Sequence, residues 1–182
     1  MKVVDTTIPD VKIVEPRVFG DQRGFFLESW NAGVFAAAGI DATFVQDNHS
    51  HSAQHTLRGL HYQVTRPQGK LVRVTAGRVF DVVVDLRRSS AHFGRWVGVE
   101  LSADNKRMLM VPAGFAHGFL ALEDATDFLY KCTAYYAPED ERTIAWDDPD
   151  LAIDWPLSAG VAPLLSAKDA AAGGFAEAEF YP

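Results

Sequence analysis

Residues 70–86 read KLVRVTAGRVFDVVVDL, and this stretch decides the fold class. Val, Leu and Phe dominate it, and Thr75-Ala76-Gly77 interrupts it where a tight turn would join two strands. The same cadence continues to Thr133, because segments 96–101 and 108–111 are also apolar and are also followed by turn-forming residues. Closely spaced short strands of this kind predict an all-β, antiparallel sandwich or barrel.

Helical patterns are scarce and short. Residues 31–38 predict two helical turns, with Asn31 as the N-cap and Gly39 just past the end, and residues 166–172 predict two more. No internal repeat or glycine-rich phosphate loop occurs, so the sequence does not favour a dinucleotide-binding fold. The length suits one hydrophobic core, and we expect a single domain over residues 1–182 with no chemistry beyond Asp169.

Composition excludes several classes of partner. Seventeen basic and 24 acidic side chains give a net charge of -7, with no run of like charge that could bind a nucleic acid. A small anionic ligand remains compatible, because it needs only a few local cations. Cys132 is the only cysteine, which rules out an intrachain disulfide and favours a reducing compartment. No apolar stretch reaches membrane-spanning length, so we expect a cytoplasmic protein without membrane contact.

Four of the six histidines lie between residues 48 and 63, at His49, His51, His55 and His61. A His-x-His pair on one strand can grip a metal ion, but such a site also needs a carboxylate. The next carboxylate along the chain after His51 is Asp81, thirty residues away. We therefore expect no metal site, and interpret His49, His51 and His55 as solvated or loop residues.

Several polar residues alternate with apolar ones on the predicted strands. Lys70 shares a face with Val72 and Val74, and Tyr130 shares one with Phe128 and Cys132. His61 and His117 lie in apolar surroundings, and Asp81 and Asp85 share the alternation of the valines around them. A barrel interior with His, Lys, Tyr and Asp side chains is either a polar network or a catalytic pocket.

Two candidate residues carry a competing structural interpretation. Arg58 and His61 are three positions apart, so strict alternation places them on opposite faces unless Gly59 permits a bulge. Asp169 follows Ser166 at the spacing of a capping box, so its carboxylate could serve only the start of a helix.

Several ordered blocks of the sequence resemble one known family, the dTDP-4-dehydrorhamnose 3,5-epimerases. The blocks are DQRGFFLE (21–28), FVQDN (44–48), LRGLHYQ (57–63), QGKLVRV (68–74), VFDV (79–82), GFAHGF (114–119), YKCT (130–133) and LSAKD (165–169). Ordered, residue-specific blocks over most of a chain are stronger evidence than any single motif.

The resemblance implies a cupin-like jelly-roll β-barrel with a few short peripheral helices, without metal or cofactor, that acts as a homodimer on a dTDP-sugar. It implies that His61 is the base, Asp169 its partner, Tyr130 the acid and Lys70 the group that stabilises an enolate. It further implies substrate contacts, some from the partner subunit, at Arg23, Phe26, Glu28, Gln46, Asn48, Arg58, His117, Glu141 and Lys168, and Tyr136 is a candidate to contact the base.

This chemistry is consistent with the residue types. A proton next to a ketone is acidic because its removal gives an enolate, so a base near the carbon and a cation near the oxygen are required. The hypothesis is double inversion at C3 and C5 of dTDP-4-dehydro-6-deoxyglucose, a step of dTDP-L-rhamnose biosynthesis. The alternatives are a C3- or C5-only epimerase, a 3,4-ketoisomerase, and a non-catalytic sugar-binding cupin.

Overall fold

The computed structural model describes residues 1–182 and is built mainly from two antiparallel sheets. The strands and helices are numbered in chain order. The six-stranded sheet has the order β1 (Lys2–Asp5), β2 (Lys12–Glu15), β10 (Met108–Val111), β7 (Lys70–Ala76), β12 (Thr126–Cys132), β5 (Gln46–Ser52). The five-stranded sheet has the order β13 (Glu141–Thr143), β6 (Leu57–Gln63), β11 (Phe115–Ala121), β8 (Arg78–Asp85), β9 (Trp96–Ser102).

The remaining elements are small. The strands β3 (Val18–Asp21) and β4 (Gly24–Leu27) form a separate hairpin. The helices are α1 (Ala32–Ala37) and α2 (Ala167–Ala170), followed by a 3₁₀ turn at Phe175–Glu177. The all-β prediction is confirmed, and neither helix is long and apolar enough to cross a membrane.

The main core lies between the two sheets. Alternate residues of β7, Val72 and Val74, point inward with Phe128 of β12, and they meet inward residues of β8 such as Val79 and Val83. Each fully buried side chain of this size contributes about 1.5–3 kcal/mol, so the alternation read in the sequence fixes which face is inside.

The outer face of the five-stranded sheet is also covered, by the chain that follows β13. Val82 and Val84 of β8 are fully buried there in a second core cluster with Trp155, and Phe180 and Tyr181 pack against this cluster. Burial on both faces explains why β8 reads as a nearly continuous apolar run. The alanine-rich tail therefore packs over the body of the protein.

The predicted helix starts are both present. Asn31 caps α1 by accepting a hydrogen bond from the Val34 N–H at 3.2 Å, and Gly39 follows the helix with a positive φ of 86°. Ser166 caps α2 in the same way, accepting from the Asp169 N–H at 3.1 Å.

The strand is irregular at Gly59, as a shared pocket for Arg58 and His61 requires. The register between β6 and β11 shifts between His117 and Phe119, and Gly59 has a φ of 113°. A Cβ on Gly59 would lie 2.7 Å from both Gly118 Cα and the His117 carbonyl oxygen, so only glycine fits. The shift lets Arg58 and His61 both face the space between the sheets.

Candidate active site

A cavity of about 370 Å³ lies between the two sheets and collects most of the predicted site residues. His61 and His117 enter it from the five-stranded sheet, while Lys70 and Tyr130 enter it from the six-stranded sheet. The full lining is Gln46, Asn48, Ser50, Arg58, His61, Gln68, Lys70, His117, Gly118, Phe119, Phe128, Tyr130, Tyr136 and Glu141. Polar side chains at inward positions of apolar strands thus converge on one pocket.

Strand pairing positions the residues of the six-stranded sheet. Tyr130 pairs with Asn48 on one side and with Val72 on the other, and Cys132 pairs with Gln46 and Lys70. Because β5, β12 and β7 pair without a shift over these residues, their inward side chains form adjacent rows.

His61 forms a dyad with Asp169. Its Nε2 lies 2.6 Å from Asp169 Oδ1, and the other carboxylate oxygen accepts a hydrogen bond from Ser166 Oγ at 2.8 Å. Although burial opposes its ionisation, these hydrogen bonds hold the pKa of Asp169 below its usual value. The structure therefore resolves the competing interpretation: Ser166 caps α2, and the Asp169 carboxylate orients His61 and leaves Nδ1 of the imidazole free.

A second dyad lies beside the first, because His117 and His61 are paired residues of β11 and β6. His117 Nε2 lies 3.0 Å and 2.9 Å from the two oxygens of Asp81, which is completely buried. Burial raises the pKa of Asp81, while His117 and Lys70 oppose that rise. Asp85 lies outside the cavity, where it binds the guanidinium of Arg87 through Oδ1 at 2.9 Å.

Lys70 and Tyr130 are the buried groups that face these dyads. Lys70 is 9% exposed, its Nζ has no hydrogen-bond acceptor, and it lies 5.9 Å from the centroid of the Tyr130 ring. Burial lowers the pKa of Lys70, against the attraction of Cys132, Asp81 and Glu141. Burial also raises the pKa of Tyr130, which keeps its phenol protonated at neutral pH.

The mouth of the cavity carries an aromatic ring and an ion pair. Tyr136 is about half exposed, and its hydroxyl donates to Glu141 Oε2 at 2.9 Å. Lys168 Nζ donates to the same oxygen at 2.7 Å. The three predicted residues Tyr136, Glu141 and Lys168 are therefore connected at one rim.

Comparison with known proteins identifies the family. The family model described as dTDP-4-dehydrorhamnose 3,5-epimerase matches residues 5–177. The chain belongs to this family. The epimerase of Pseudomonas aeruginosa is 59% identical over 183 residues, covering 100% of both chains.

Solved structures of the family agree with this fold. An epimerase from Legionella pneumophila, in complex with dTDP-4-keto-L-rhamnose, has a TM-score of 0.94 and 52% identity over 98% of this chain and 94% of that one. The epimerase of Bacillus anthracis, with TDP and PPi bound, has a TM-score of 0.91 and 47% identity over 95% of this chain and 98% of that one.

Three residues predicted from the resemblance to the epimerase family lie away from the cavity of this chain. Arg23 sits at the turn of the β3–β4 hairpin and pairs with Asp21 at 2.5 Å, and Phe26 is 66% exposed on the same hairpin. Glu28 follows the hairpin and accepts a hydrogen bond from Asn31.

Two of the histidines outside the cavity, His49 and His51, lie on the surface. His49 Nε2 and His51 Nδ1 approach Asp127 Oδ1 at 3.1 Å and 2.8 Å, on the outer face of β5 and β12. The sequence analysis considered only carboxylates close to His51 along the chain, whereas Asp127 comes from the neighbouring strand β12. No group of three or more His, Cys, Asp or Glu side chains has an arrangement that could hold a metal ion.

Sequence reasoning missed five residues in the lining of the cavity: Ser50, Gln68, Gly118, Phe119 and Phe128. Three of them carry a signal, because Ser50 continues the alternation of Gln46 and Asn48, and the two phenylalanines alternate with His117 and Tyr130. Gln68 precedes β7 in a loop and carries no such signal.

Proposed function

We propose that this chain inverts C3 and C5 of dTDP-4-dehydro-6-deoxyglucose to give dTDP-4-dehydro-L-rhamnose. One observation carries the proposal: His61 and Tyr130 approach the same cavity from opposite sheets. A sugar ring between them meets a base on one face and an acid on the other, which is the arrangement that inversion requires. The epimerase from Legionella pneumophila, which binds dTDP-4-keto-L-rhamnose, supports the substrate class.

In the proposed first step the free imidazole nitrogen of His61 removes the proton from a carbon next to the C4 ketone. The electron pair of that C–H bond forms the enolate double bond, and negative charge moves to the ketone oxygen, where the Lys70 ammonium stabilises it. Asp169 stabilises the imidazolium that forms, as a buried carboxylate partner does in other histidine dyads.

In the second step the Tyr130 hydroxyl donates its proton to the opposite face of the same carbon. The enolate electrons form the new C–H bond, and the ketone is restored with inverted configuration. The raised pKa of Tyr130 suits a group that must hold its proton until the enolate forms. C3 and C5 both flank C4, so the same groups serve both inversions.

The nucleotide part of the substrate needs cations and an aromatic surface. Arg58 lines the cavity. Lys168 lies at the rim, where it donates a hydrogen bond to the lining residue Glu141. Their positive charges suit the diphosphate, while the exposed ring of Tyr136 is placed to stack against the base.

We also propose that the protein is a cytoplasmic homodimer in which the β3–β4 hairpin reaches the cavity of a second copy. Phe25 and Phe26 are 63% and 66% exposed, which is unusual for large apolar side chains on a monomer. Contact with a second copy would cover them and bring Arg23 and Glu28 to a site from which they are distant within one chain.

The experiment is proton NMR of the substrate with purified protein in heavy water, followed by trapping with a 4-keto reductase. We expect deuterium at C3 and C5 and an L-rhamno product. Deuterium at one carbon only indicates a single-site epimerase, transfer of hydrogen between C3 and C4 indicates a ketoisomerase, and no exchange indicates a binding module.

Two variants test the residue roles. His61→Ala and Tyr130→Phe should both fold and lose turnover by about 10²- to 10⁴-fold, and Tyr130→Phe should still exchange substrate protons with solvent. His55→Ala and Tyr135→Phe are matched controls outside the cavity lining and should retain activity. Near-normal double inversion by His61→Ala or Tyr130→Phe contradicts the assigned roles.

A further inference from the structure

The backbone around Tyr136 is held by two glutamine side chains. Gln63 Nε2 donates to the Tyr135 carbonyl at 3.2 Å, and Gln63 Oε1 accepts from the Ala137 N–H at 2.9 Å. Between these two contacts, Gln46 Oε1 accepts from the Tyr136 N–H at 2.9 Å. Three consecutive residues of a loop are therefore fixed by side chains of β5 and β6.

Gln63 is committed to this role by its surroundings. It is 3% exposed, it does not line the cavity, and its remaining amide hydrogen bonds the Arg66 carbonyl at 2.8 Å. A side-chain amide has two donor hydrogens and one oxygen acceptor, and every one of these groups has a partner. Gln63 cannot touch a substrate in the cavity, so any effect it has on binding must pass through the loop.

The end of β6 is itself anchored by the C-terminal tail. The Tyr181 hydroxyl donates to the backbone carbonyl of Gln63 at 2.5 Å, and the Tyr62 hydroxyl accepts from the Glu179 N–H at 3.2 Å. The rings of Tyr62 and Tyr181 pack edge to face with centroids 6.2 Å apart. The tail beyond Asp169 therefore supports the cavity rim.

We propose that Gln63 is a positioning residue that holds Tyr136 in place to receive the nucleobase of the substrate. The inference rests on the proposed function and adds how one binding contact is kept rigid. A ring already held in its binding geometry loses little conformational freedom when the ligand arrives, and this preserves affinity. Gln63 and the Tyr181 hydroxyl thus act on nucleotide binding without contacting the nucleotide.

Gln63→Met keeps the length of the side chain and removes both hydrogen-bonding functions. We expect KM for the sugar nucleotide, and Kd for dTDP measured by calorimetry, to rise about tenfold, within the range that one base–aromatic stack supplies. The value of kcat should stay within about twofold, because the reacting carbons lie beside His61 and Tyr130. Gln54→Met is the matched control, since the Gln54 amide also binds a backbone carbonyl, that of Leu122, on the far surface.

A double-mutant cycle separates positioning from general damage. In a Tyr136→Ala background, Gln63→Met should change Kd for dTDP by less than about twofold, because the ring it positions is gone. If the two substitutions act additively, or if Gln63→Met lowers kcat and leaves KM unchanged, the proposal is overturned.

If Gln63→Met does not fold, Tyr181→Phe tests the same support by removing a single hydroxyl. Its Kd for dTDP should rise about threefold in the wild-type background and stay unchanged with Tyr136→Ala, and equal effects in both backgrounds overturn the proposal. Binding of dTDP needs no turnover, so a wild-type protein that binds dTDP without epimerising would refute the proposed function and still report on Gln63.

Discussion

Replacing Lys70 by methionine is expected to stabilise the fold while it abolishes turnover. The Lys70 ammonium is 9% exposed, has no hydrogen-bond acceptor, and lies among the inward side chains of β7 and β12. Its favourable contacts are the face of the Tyr130 ring at 5.9 Å and the attraction of Asp81 and Glu141 through space. A buried cation without a direct partner lowers the free energy of unfolding, and its charge is compensated only when an anion binds beside it.

The magnitude follows from these contacts. Burying an ammonium costs several kcal/mol, and a partly desolvated cation–π contact recovers about 1 kcal/mol of it. Lys70 has no direct ion-pair partner, so removing its charge recovers part of the burial cost without leaving a paired carboxylate behind, and we expect Lys70→Met to stabilise the fold by about 2 kcal/mol. For a chain of this length, that corresponds to a rise in Tm of about 6 °C.

The pH dependence has a definite sign. The folded pKa of Lys70 is lowered by burial, so below that pKa the folded protein carries the full cost of the charge. As pH rises above the folded pKa, the folded chain loses the proton while the unfolded chain keeps it, and the cost falls to zero at the ordinary lysine pKa. The stability advantage of Lys70→Met should therefore be larger at neutral pH than in alkali.

Urea unfolding followed by tryptophan fluorescence, at about pH 7 and about pH 10, measures the advantage, and the NMR assay measures turnover. Lys131→Met is the control, because Lys131 bonds both oxygens of Asp47 at 2.9 Å near the surface and should change stability by less than about 1 kcal/mol. A Lys70→Met protein that is less stable than wild type, or that keeps its activity, refutes the reasoning.

Two further predictions concern the elements around His61. Asp169→Asn removes the charge that supports the imidazolium, so turnover should fall by about 10²-fold or more while dTDP affinity, measured by calorimetry, stays unchanged; unchanged turnover would contradict the dyad. Gly118→Ala should lower the free energy of unfolding by more than about 2 kcal/mol in urea titrations, because its Cβ would lie 2.6 Å from the Arg58 carbonyl oxygen. Gly20→Ala is the control and should be nearly neutral, because no atom would lie closer than 3.7 Å to its Cβ.

Sequence patterns predicted the features that depend on residues close together along the chain, which are the helix caps and the strands. The Asn31 cap and the strands from Lys70 to Val111 follow from local propensity and alternation, and the structure places them as expected. The irregularity at Gly59 was only a condition for Arg58 and His61 to share a pocket, and the structure meets that condition with a backbone that only glycine tolerates.

Sequence patterns could not predict contacts that depend on which strands lie side by side in the sheets. Asp127 lies beside His49 and His51 only because β12 pairs with β5, at a separation of more than 75 residues. The hydrogen bonds from Gln63 to the Tyr135–Ala137 loop also depend on tertiary structure. A glutamine at the end of a strand gives no indication in the sequence of which groups it will bond. Contacts between strands that are distant in the sequence cannot be predicted from the alternation of residues within one strand.

The same distinction governs the chemistry. Alternation predicts that Lys70 and Tyr130 point inward, but side chains that point inward from one sheet reach only one face of a sugar. Inversion needs the base and the acid to belong to opposing sheets, and the strand orders assign β6 to one and β12 to the other. In the proposed mechanism the side chains supply the acid–base chemistry, and the pairing of distant strands places the base and the acid on two faces of one carbon.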